Sequence, residues 1–185
     1  MESGASINWD ALLWPEVEVE LAVVLAHDLP PRPTPYEMGD LQRAVAHVTG
    51  AFELLGSRFA DRTAVSRTES LADLLSSAGV VKGQGAAHFD SLEFAQVAMS
   101  LMFDATVVGT ATGGPSTAEV LGTLTWLANH ACGRVGGLRA GQVVITGARI
   151  HPINLPPHGA QLIANLAGLG SVEANIVGSA SSPGG

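Results

Sequence analysis

The chain has 185 residues and a mass of 18.9 kDa, which is enough for one domain with a hydrophobic core. Its formal net charge of −8 argues against nucleic acid or an anionic membrane surface as the main partner. No apolar run reaches the roughly 18 residues that span a bilayer, and the first residues lack the basic start of a secretory signal. The single cysteine, Cys132, excludes an internal disulfide and fits a reducing cytoplasm.

The first third of the chain predicts a strand, a loop, a helix and a second strand. Residues 1–11 show no periodic pattern and predict an irregular lead-in. Alternation of charged and apolar residues predicts a strand over 16–25 with one buried face, and a proline-rich loop follows it. Apolar residues at helical spacing then predict a helix over 36–48, and 51–55 is predicted as a short strand.

The rest of the chain predicts more strands than helices. The predicted elements are a helix over 67–79, a hairpin with strands 94–102 and 106–109, a helix over 117–130, a strand over 142–147, and two short strands within 161–177. Residues 179–185 predict a flexible tail. The helices are few and the connections long, so we predict one α+β, mostly β domain over 12–178 with a curled sheet rather than βαβ repeats.

Three glutamates alternate with apolar residues at the start of the first strand: Glu16, Glu18 and Glu20. Same-face neighbours on a strand lie about 6.5–7 Å apart, so two adjacent carboxylates can reach one cation between them. Like charges on one face repel and are costly to bury without a counter-ion, and a divalent metal would supply one. The alternative is an edge strand whose polar face is simply hydrated.

Glu53 is a second acidic residue of interest, because it lies in the apolar run Ala51–Leu55, where an unpaired carboxylate would be costly. It could pair with Arg58, or it could join Glu18 and Glu20 in an all-oxygen site that suits Mg²⁺ or Mn²⁺ better than Zn²⁺. The six histidines have no metal-binding helical spacing. The sequence also lacks a GxSxG motif, a P-loop and a dinucleotide-binding glycine motif.

Several segments, taken in order, resemble the fumarylacetoacetate hydrolase superfamily, and in particular its 2-oxopent-4-enoate hydratase and 4-oxalocrotonate decarboxylase branch. The resembling segments are PEVEVELA at 15–22, AFELLGSR at 51–58, ADLLSSAGVV at 72–81, WLAN at 126–129 with LRAGQVVITG at 138–147, and GLGSV at 168–172. They follow the family's order and spacing over nearly all of residues 12–177.

The resemblance implies a fold, a metal site and a chemistry. The fold is a twisted, mixed β-roll core with a few flanking helices, as in the C-terminal domain of fumarylacetoacetase. The implied metal ligands are Glu18, Glu20 and Glu53, with Mg²⁺ or Mn²⁺ as the cofactor. In such enzymes the metal chelates the carboxylate and the 2-oxo or enol oxygen of a small acid and stabilises an enolate. Water addition, decarboxylation or C–C cleavage follows, depending on the acid and base groups nearby.

Further site residues come with the same resemblance. Asp73 is a candidate acid/base or supporting group, and Arg58, Ser76 and Thr146 are candidate substrate contacts. Lys82 stands where the family usually has an apolar residue. It is a candidate catalytic cation, and the alternative is a solvated surface lysine.

The chain also departs from the family pattern. The D-S-R aspartate is Gly56, the D-N asparagine is Leu74, and a usual proline is Val120. The chain starts just before the metal-binding strand, so we expect the family's N-terminal G-x-K-x-G lysine segment to be missing.

Three functions follow as hypotheses. The first is a metal-dependent hydratase or decarboxylase-type lyase on a small 2-oxo or 2-hydroxydienoate acid. The second is a repurposed isomerase, dehydratase or cyclase that accepts a larger substrate. The third is a non-catalytic partner subunit that keeps the fold. A homo-oligomer is expected, since a short β-roll leaves strand edges to cover.

Overall fold

The computed structural model describes residues 1–85 and 87–179. In these ranges ten strands form two sheets, and the strands are β1 Ala5–Asn8, β2 Glu16–Leu25, β3 Val45–Leu55, β4 Ser77–Lys82, β5 Met99–Phe103, β6 Thr106–Ala111, β7 Val143–Ile145, β8 Ile150–Asn154, β9 Gly159–Leu166 and β10 Gly170–Val177. The α-helices in the same ranges are α1 Met38–Ala44, α2 Arg67–Ala72 and α3 Thr117–Val135. No helix among these residues is long and apolar enough to cross a membrane.

One of the two sheets is fully antiparallel, and the other is mixed in direction. The first has the strand order β4-β3-β2-β7, with β8 also paired to β2, and the second has the order β1-β10-β9-β5-β6. The short strand β1 runs parallel to β10, whereas the other strand pairs are antiparallel. The predicted α+β, mostly β fold with a curled sheet is confirmed.

Strand β2 separates the core from the acidic face. Its side chains at Val17, Val19, Leu21 and Val23 are fully buried in one hydrophobic core, which also includes residues of β9 and β10. The two sheets approach closely at Gly50 of β3, where an added Cβ would lie 2.5 Å from Leu166 Cδ1. Because side chains alternate along a strand, the glutamates of β2 project from the opposite face.

The predicted helix over 36–48 is wrong in its second half. Helix α1 ends at Ala44, and β3 begins immediately at Val45. Residues Val45 and Val48 fit a helical spacing as well as a strand, so the local pattern could not separate the two structures. Pairing of β3 with β2, through partners such as His47 and Val24, decides for the strand.

The predicted helix over 67–79 ends early at Ala72. Leu74, Leu75 and Ser76 have left-handed backbone angles, with φ of 56°, 53° and 69°, and β4 follows as a partner of β3. Nothing in the apolar spacing of this segment signals that turn. Leu74 and Leu75 are exposed, so the apolar residues that suggested an amphipathic helix do not face the core.

Other predicted bounds shift for similar reasons. The residues at 94–96 form a single 3₁₀ turn, so the first hairpin strand starts only at Met99, and α3 extends to Val135. The strands β1 and β8 were not predicted, because they are held by pairing with β10 and β2 rather than by a pattern of their own. The lead-in over 1–11 is therefore not irregular throughout. In the predicted tail, Ser179 donates its N–H to the Pro157 carbonyl at 2.7 Å, and 180–185 lie outside the described residues.

Candidate metal centre

The two strands β2 and β3 bring Glu18, Glu20 and Glu53 together. Glu18 lies directly opposite Glu53 in the antiparallel register, and Glu20 follows two residues along the same face of β2. One carboxylate oxygen from each of the three lies within 4.8 Å of the others. The sequence therefore anticipated which side chains meet. Metal binding by these three glutamates stays a prediction. The spacing of their oxygens is compatible with one shared ion.

The cluster carries more negative charge than its surroundings balance. Burial raises the pKa of Glu18 to about 7, and the charge of Glu53 adds to that shift. Burial also raises the pKa of Glu20 to about 7, against the opposing effect of a hydrogen bond from Gly147 and with a further increase from Glu53 and Glu18. A divalent cation between these oxygens would supply the missing counter-charge.

A backbone amide after β7 fixes one of the three carboxylates. The N–H of Gly147 donates to Glu20 Oε2 at 2.7 Å, and Glu20 is only 2% exposed. Gly147 has a φ of +97°, a backbone conformation that side-chain-bearing residues rarely adopt. This turn therefore requires glycine in order to aim its amide at the cluster.

Glu16, the third glutamate of the alternating run, is not part of the cluster. It pairs with Arg62, whose Nη1 lies 2.7 Å from Glu16 Oε2. Glu16 is the first residue of β2, and it is not among the ligands that the resemblance implies. The alternative pairing of Glu53 with Arg58 is not found, because Arg58 pairs with Asp73.

Asp73 is buried in a network with the segment after β3. It accepts hydrogen bonds from the Ser57 hydroxyl at 2.9 Å and from the Arg58 backbone N–H at 3.2 Å, and it pairs with the Arg58 guanidinium. Burial alone would raise the pKa of Asp73, but the hydrogen bonds from Arg58 and Ser57 hold it below its usual value. The Arg58 guanidinium also bonds the Ser77 carbonyl at 2.8 Å. These contacts join α2 to the end of β3, and the proposed acid/base and substrate roles of Asp73 and Arg58 stay predictions.

The remaining predicted site residues have other partners. Ser76 lies in the left-handed turn, and its carbonyl accepts the Gly56 N–H at 2.8 Å. The Thr146 hydroxyl donates to the Leu21 carbonyl at 3.0 Å. Thr146 also lines an apolar cavity of about 80 Å³ between α3 and β7. The predicted roles of Ser76 and Thr146 in substrate binding therefore stay predictions.

Lys82 lies on the acidic face but points its ammonium elsewhere. In the register, Lys82 pairs with Ala51, which pairs with Glu20, so Lys82 is two strand spacings, or about 10 Å, from Glu20. Its Nζ lies 2.9 Å from Glu2. A catalytic role for Lys82 would require that ion pair to open.

Two residues near the cluster were missed by the sequence reasoning. Gly147 closes the LRAGQVVITG segment, and a glycine directly after a β-branched strand was the available signal for a backbone amide in the site. Arg149 lies two residues further on and is 8% exposed. No pattern in the sequence distinguishes it from the chain's other arginines.

Solved structures share this fold. The 4-oxalocrotonate decarboxylase from Pseudomonas putida G7, complexed with magnesium and adipate, superposes with a TM-score of 0.79 at 23% identity, over 96% of this chain and 66% of that one. A fumarylpyruvate hydrolase from Pseudomonas aeruginosa, in complex with Mn²⁺ and pyruvate, has a TM-score of 0.64 at 15% identity, over 97% of this chain and 74% of that one. The architecture is thus the predicted fumarylacetoacetase-like β-roll.

Curated proteins are similar in sequence over most of the chain. A 2-keto-4-pentenoate hydratase of Burkholderia vietnamiensis is 32% identical over 166 residues, which are 90% of this chain and 62% of that protein. A 4-oxalocrotonate decarboxylase of a Pseudomonas species is 28% identical over 96% of this chain and 67% of that protein. No protein-family profile matches the chain.

These likenesses confirm the predicted resemblance. In sequence the chain is similar to 2-keto-4-pentenoate hydratases and to a 4-oxalocrotonate decarboxylase, and its fold is that of the fumarylacetoacetate hydrolase superfamily. It spans about three fifths of the length of the hydratases it matches, 62% in the case of the Burkholderia vietnamiensis protein.

Proposed function

We propose that this protein is a divalent-metal-dependent hydratase or decarboxylase-type lyase that acts on a small 2-oxo or 2-hydroxydienoate acid. The observation that carries the proposal is the meeting of Glu18, Glu20 and Glu53, whose oxygens lie within 4.8 Å of one another. Hard carboxylate oxygens with a raised pKa fit Mg²⁺ or Mn²⁺, since the ion replaces protons that the cluster would otherwise hold. The names of the relatives support the substrate class.

Each residue has a defined part in this proposal. Glu18, Glu20 and Glu53 would hold the ion, which would act as a Lewis acid toward the carboxylate and 2-oxo oxygens of the acid. The Gly147 amide keeps Glu20 in one orientation. Thr146 lines the apolar cavity beside α3 and directly precedes Gly147 in the sequence. The volume of this cavity, about 80 Å³, would suit a short hydrocarbon part of the substrate.

A thermal-shift titration tests the metal site. Saturation at about 100 times the dissociation constant stabilises the folded state by roughly 2.7 kcal/mol, so millimolar Mg²⁺ or Mn²⁺ should raise the melting temperature by roughly 5–10 °C. Glu18→Ala and Glu53→Ala should lose this shift. Glu16→Ala is the matched control, because Glu16 lies on the same strand and pairs with Arg62 outside the cluster. No shift in the wild type would overturn the proposal.

A substrate screen then assigns the reaction. Loss of the ultraviolet absorbance of a 2-hydroxydienoate reports turnover, and product mass separates addition of water, loss of CO₂ and isomerisation. The second hypothesis, a repurposed isomerase, dehydratase or cyclase, would turn over larger enols instead.

The third hypothesis, a non-catalytic partner subunit, is favoured by a specific observation. The two predicted acid/base groups, Asp73 and Lys82, are paired with Arg58 and Glu2. A protein that binds metal and a 2-oxo acid but turns over none of the dienoates would favour this candidate over the enzyme.

We further propose a homo-oligomer. The outer strand β6 presents Val107 and Val108 to solvent, 55% and 37% exposed, along an edge to which no other strand of the described residues is paired. Sedimentation velocity tests the proposal, and a monomer at micromolar concentration would contradict it.

A further inference from the structure

Arg149 is a buried cation with unused hydrogen-bond donors. Its side chain is 8% exposed, and Nη1 donates to the Gly147 carbonyl at 2.9 Å. Nε and Nη2 have no hydrogen-bond partner among the described residues. Buried polar groups are nearly always paired, and a buried, unpaired charged donor is costly. We therefore expect the unpaired Nε and Nη2 donors of Arg149 to bind an anionic ligand.

The backbone places Arg149 beside the glutamates. Its N–H donates to the carbonyl of Val19, which lies between Glu18 and Glu20 on β2. The next residue, Ile150, pairs with Val19 and is buried in the core. Gly147, two residues before Arg149, bonds Glu20 through its N–H and Arg149 through its carbonyl, which places the guanidinium on the side of Glu20.

The guanidinium is held in place by a glycine loop. Gly114 has a φ of +107°, and an added Cβ there would lie 2.4 Å from Arg149 Nε. Only a glycine lets the loop backbone lie this close to the arginine. The close approach leaves little freedom for the guanidinium to turn away from the cluster.

Arg149 does not act as the standing counter-ion of the cluster. It is absent from the ion pairs formed among the described residues. Gly147 lies between the two groups, with its N–H on Glu20 and its carbonyl on Arg149. The guanidinium is thus joined to Glu20 through Gly147, while its Nε and Nη2 donors are buried and unpaired among the described residues.

We propose that Arg149 binds the carboxylate of the acid that the metal centre takes up, through Nε and Nη2. This inference rests on the proposed function. Those two N–H groups lie on the same side of the guanidinium and form the fork that matches a carboxylate in a bidentate pair. The charge balance favours the same assignment. Three ionised glutamates and a divalent ion leave one net negative charge, which repels an anionic acid, and the positive charge of Arg149 would offset that repulsion when the acid binds.

The test measures metal binding and acid binding separately. Mn²⁺ binding to the wild type, Arg149→Gln, Arg149→Lys and the control Arg134→Gln is measured by calorimetry. Pyruvate and the neutral analogue pyruvamide are then titrated into each Mn²⁺-loaded protein, with the paramagnetic relaxation of water protons as the readout. Arg134 is a suitable control because it is exposed at the end of α3.

Arg149→Gln should bind Mn²⁺ at least as tightly as the wild type, since a nearby positive charge is gone, and should bind pyruvate at least 10-fold more weakly. Its affinity for pyruvamide should change less than threefold. Arg149→Lys should recover part of the pyruvate affinity, and Arg134→Gln should match the wild type. Melting curves of the metal-free variants show whether each has folded.

The contrary outcomes are distinct. Wild-type pyruvate affinity in a folded, Mn²⁺-loaded Arg149→Gln, or an equal loss for pyruvate and pyruvamide, overturns the role of Arg149 and leaves the metal centre standing. Failure of the wild type to bind Mn²⁺ overturns the proposed function and this inference together.

Discussion

Glu18 and Glu53 lie directly opposite each other on β2 and β3, with carboxylate oxygens close enough to share one ion. Like charges placed opposite each other in a sheet destabilise it. The protein folds with this unfavourable pair on the face opposite its core, so the arrangement works against stability when no cation is bound. A site of this kind lowers the free energy of unfolding of the metal-free protein and in return can bind a cation.

The metal-free protein should lose stability as pH rises. Burial and neighbouring charge raise the pKa of Glu18 and Glu20 to about 7, above the value of 4.5 that is usual for a solvated glutamate. The folded state therefore holds extra protons between these values, so stability is highest below about pH 4.5 with respect to these groups and falls as pH rises through 7. After a discount for solvent screening at the half-exposed Glu18, we expect a loss on the order of 2 kcal/mol.

Thermal unfolding in EDTA from pH 5 to pH 8 measures this loss, which corresponds to roughly 5 °C. The double variant Glu18→Gln/Glu20→Gln should flatten the profile. A wild-type melting temperature that stays constant or rises over this range would contradict the prediction.

Gly147→Ala should weaken the hydrogen bond from the Gly147 amide that orients the Glu20 carboxylate. Alanine at a φ of +97° is strained, whereas the added Cβ would meet no atom within 4 Å, so the whole effect comes from the backbone. We expect a loss of about 1–2 kcal/mol in the free energy of unfolding and a weaker affinity for Mn²⁺. Chemical denaturation and calorimetry measure the two effects.

Gly133→Ala is the matched control for that change. Gly133 lies inside α3 and its added Cβ also meets open space, so alanine there should stabilise the protein by about 0.5–1 kcal/mol. Equal effects of the two substitutions would contradict the role given to Gly147.

Leu74→Asn should stabilise the protein. Leu74 is 68% exposed and has a φ of 56°, so leucine gains little burial there while adopting a conformation that asparagine tolerates better. We expect about 0.5–1 kcal/mol in the free energy of unfolding. Leu71→Asn is the comparison, because Leu71 is also exposed but lies in α2, where asparagine is a poorer helix former. Urea unfolding that ranks the two variants in the opposite order would contradict the account.

Asp73→Asn should act on folding more than on metal binding. The change removes the ion pair between the buried Asp73 and the half-exposed Arg58 and weakens the hydrogen bond from Ser57, so we expect the free energy of unfolding to fall. Because the pKa of Asp73 is lowered in the folded state, its contribution is present above the unfolded value and lost as pH falls. The stability difference between wild type and variant should therefore shrink in acid.

Asp61→Asn serves as the control for Asp73, since Asp61 is exposed and bonds only Thr63 and its neighbours in the loop. Mn²⁺ affinity should stay within a few-fold of wild type in both variants. A large loss of metal affinity in a folded Asp73→Asn would instead place Asp73 in the metal centre.

The sequence alone determined the features that depend on near neighbours along the chain. Alternation at 16–25 was enough to place β2 and to put its glutamates on one face, and the bounds agree with the structure. The distant features came from the family resemblance instead: it implied the β-roll, and it implied Glu53, over thirty residues away, as the partner of Glu18 and Glu20.

Only the tertiary structure decided the features that depend on distant pairing. Val45 and Val48 became strand because β2 was available beside them, and β1 and β8 exist only as partners of β10 and β2. Arg149 is one of eight arginines in the sequence, and its burial next to Glu20 follows from its hydrogen bond to Val19 across the sheet. Local patterns record a residue's own preference, whereas burial and unpaired donors depend on which segments of the chain are brought together in space.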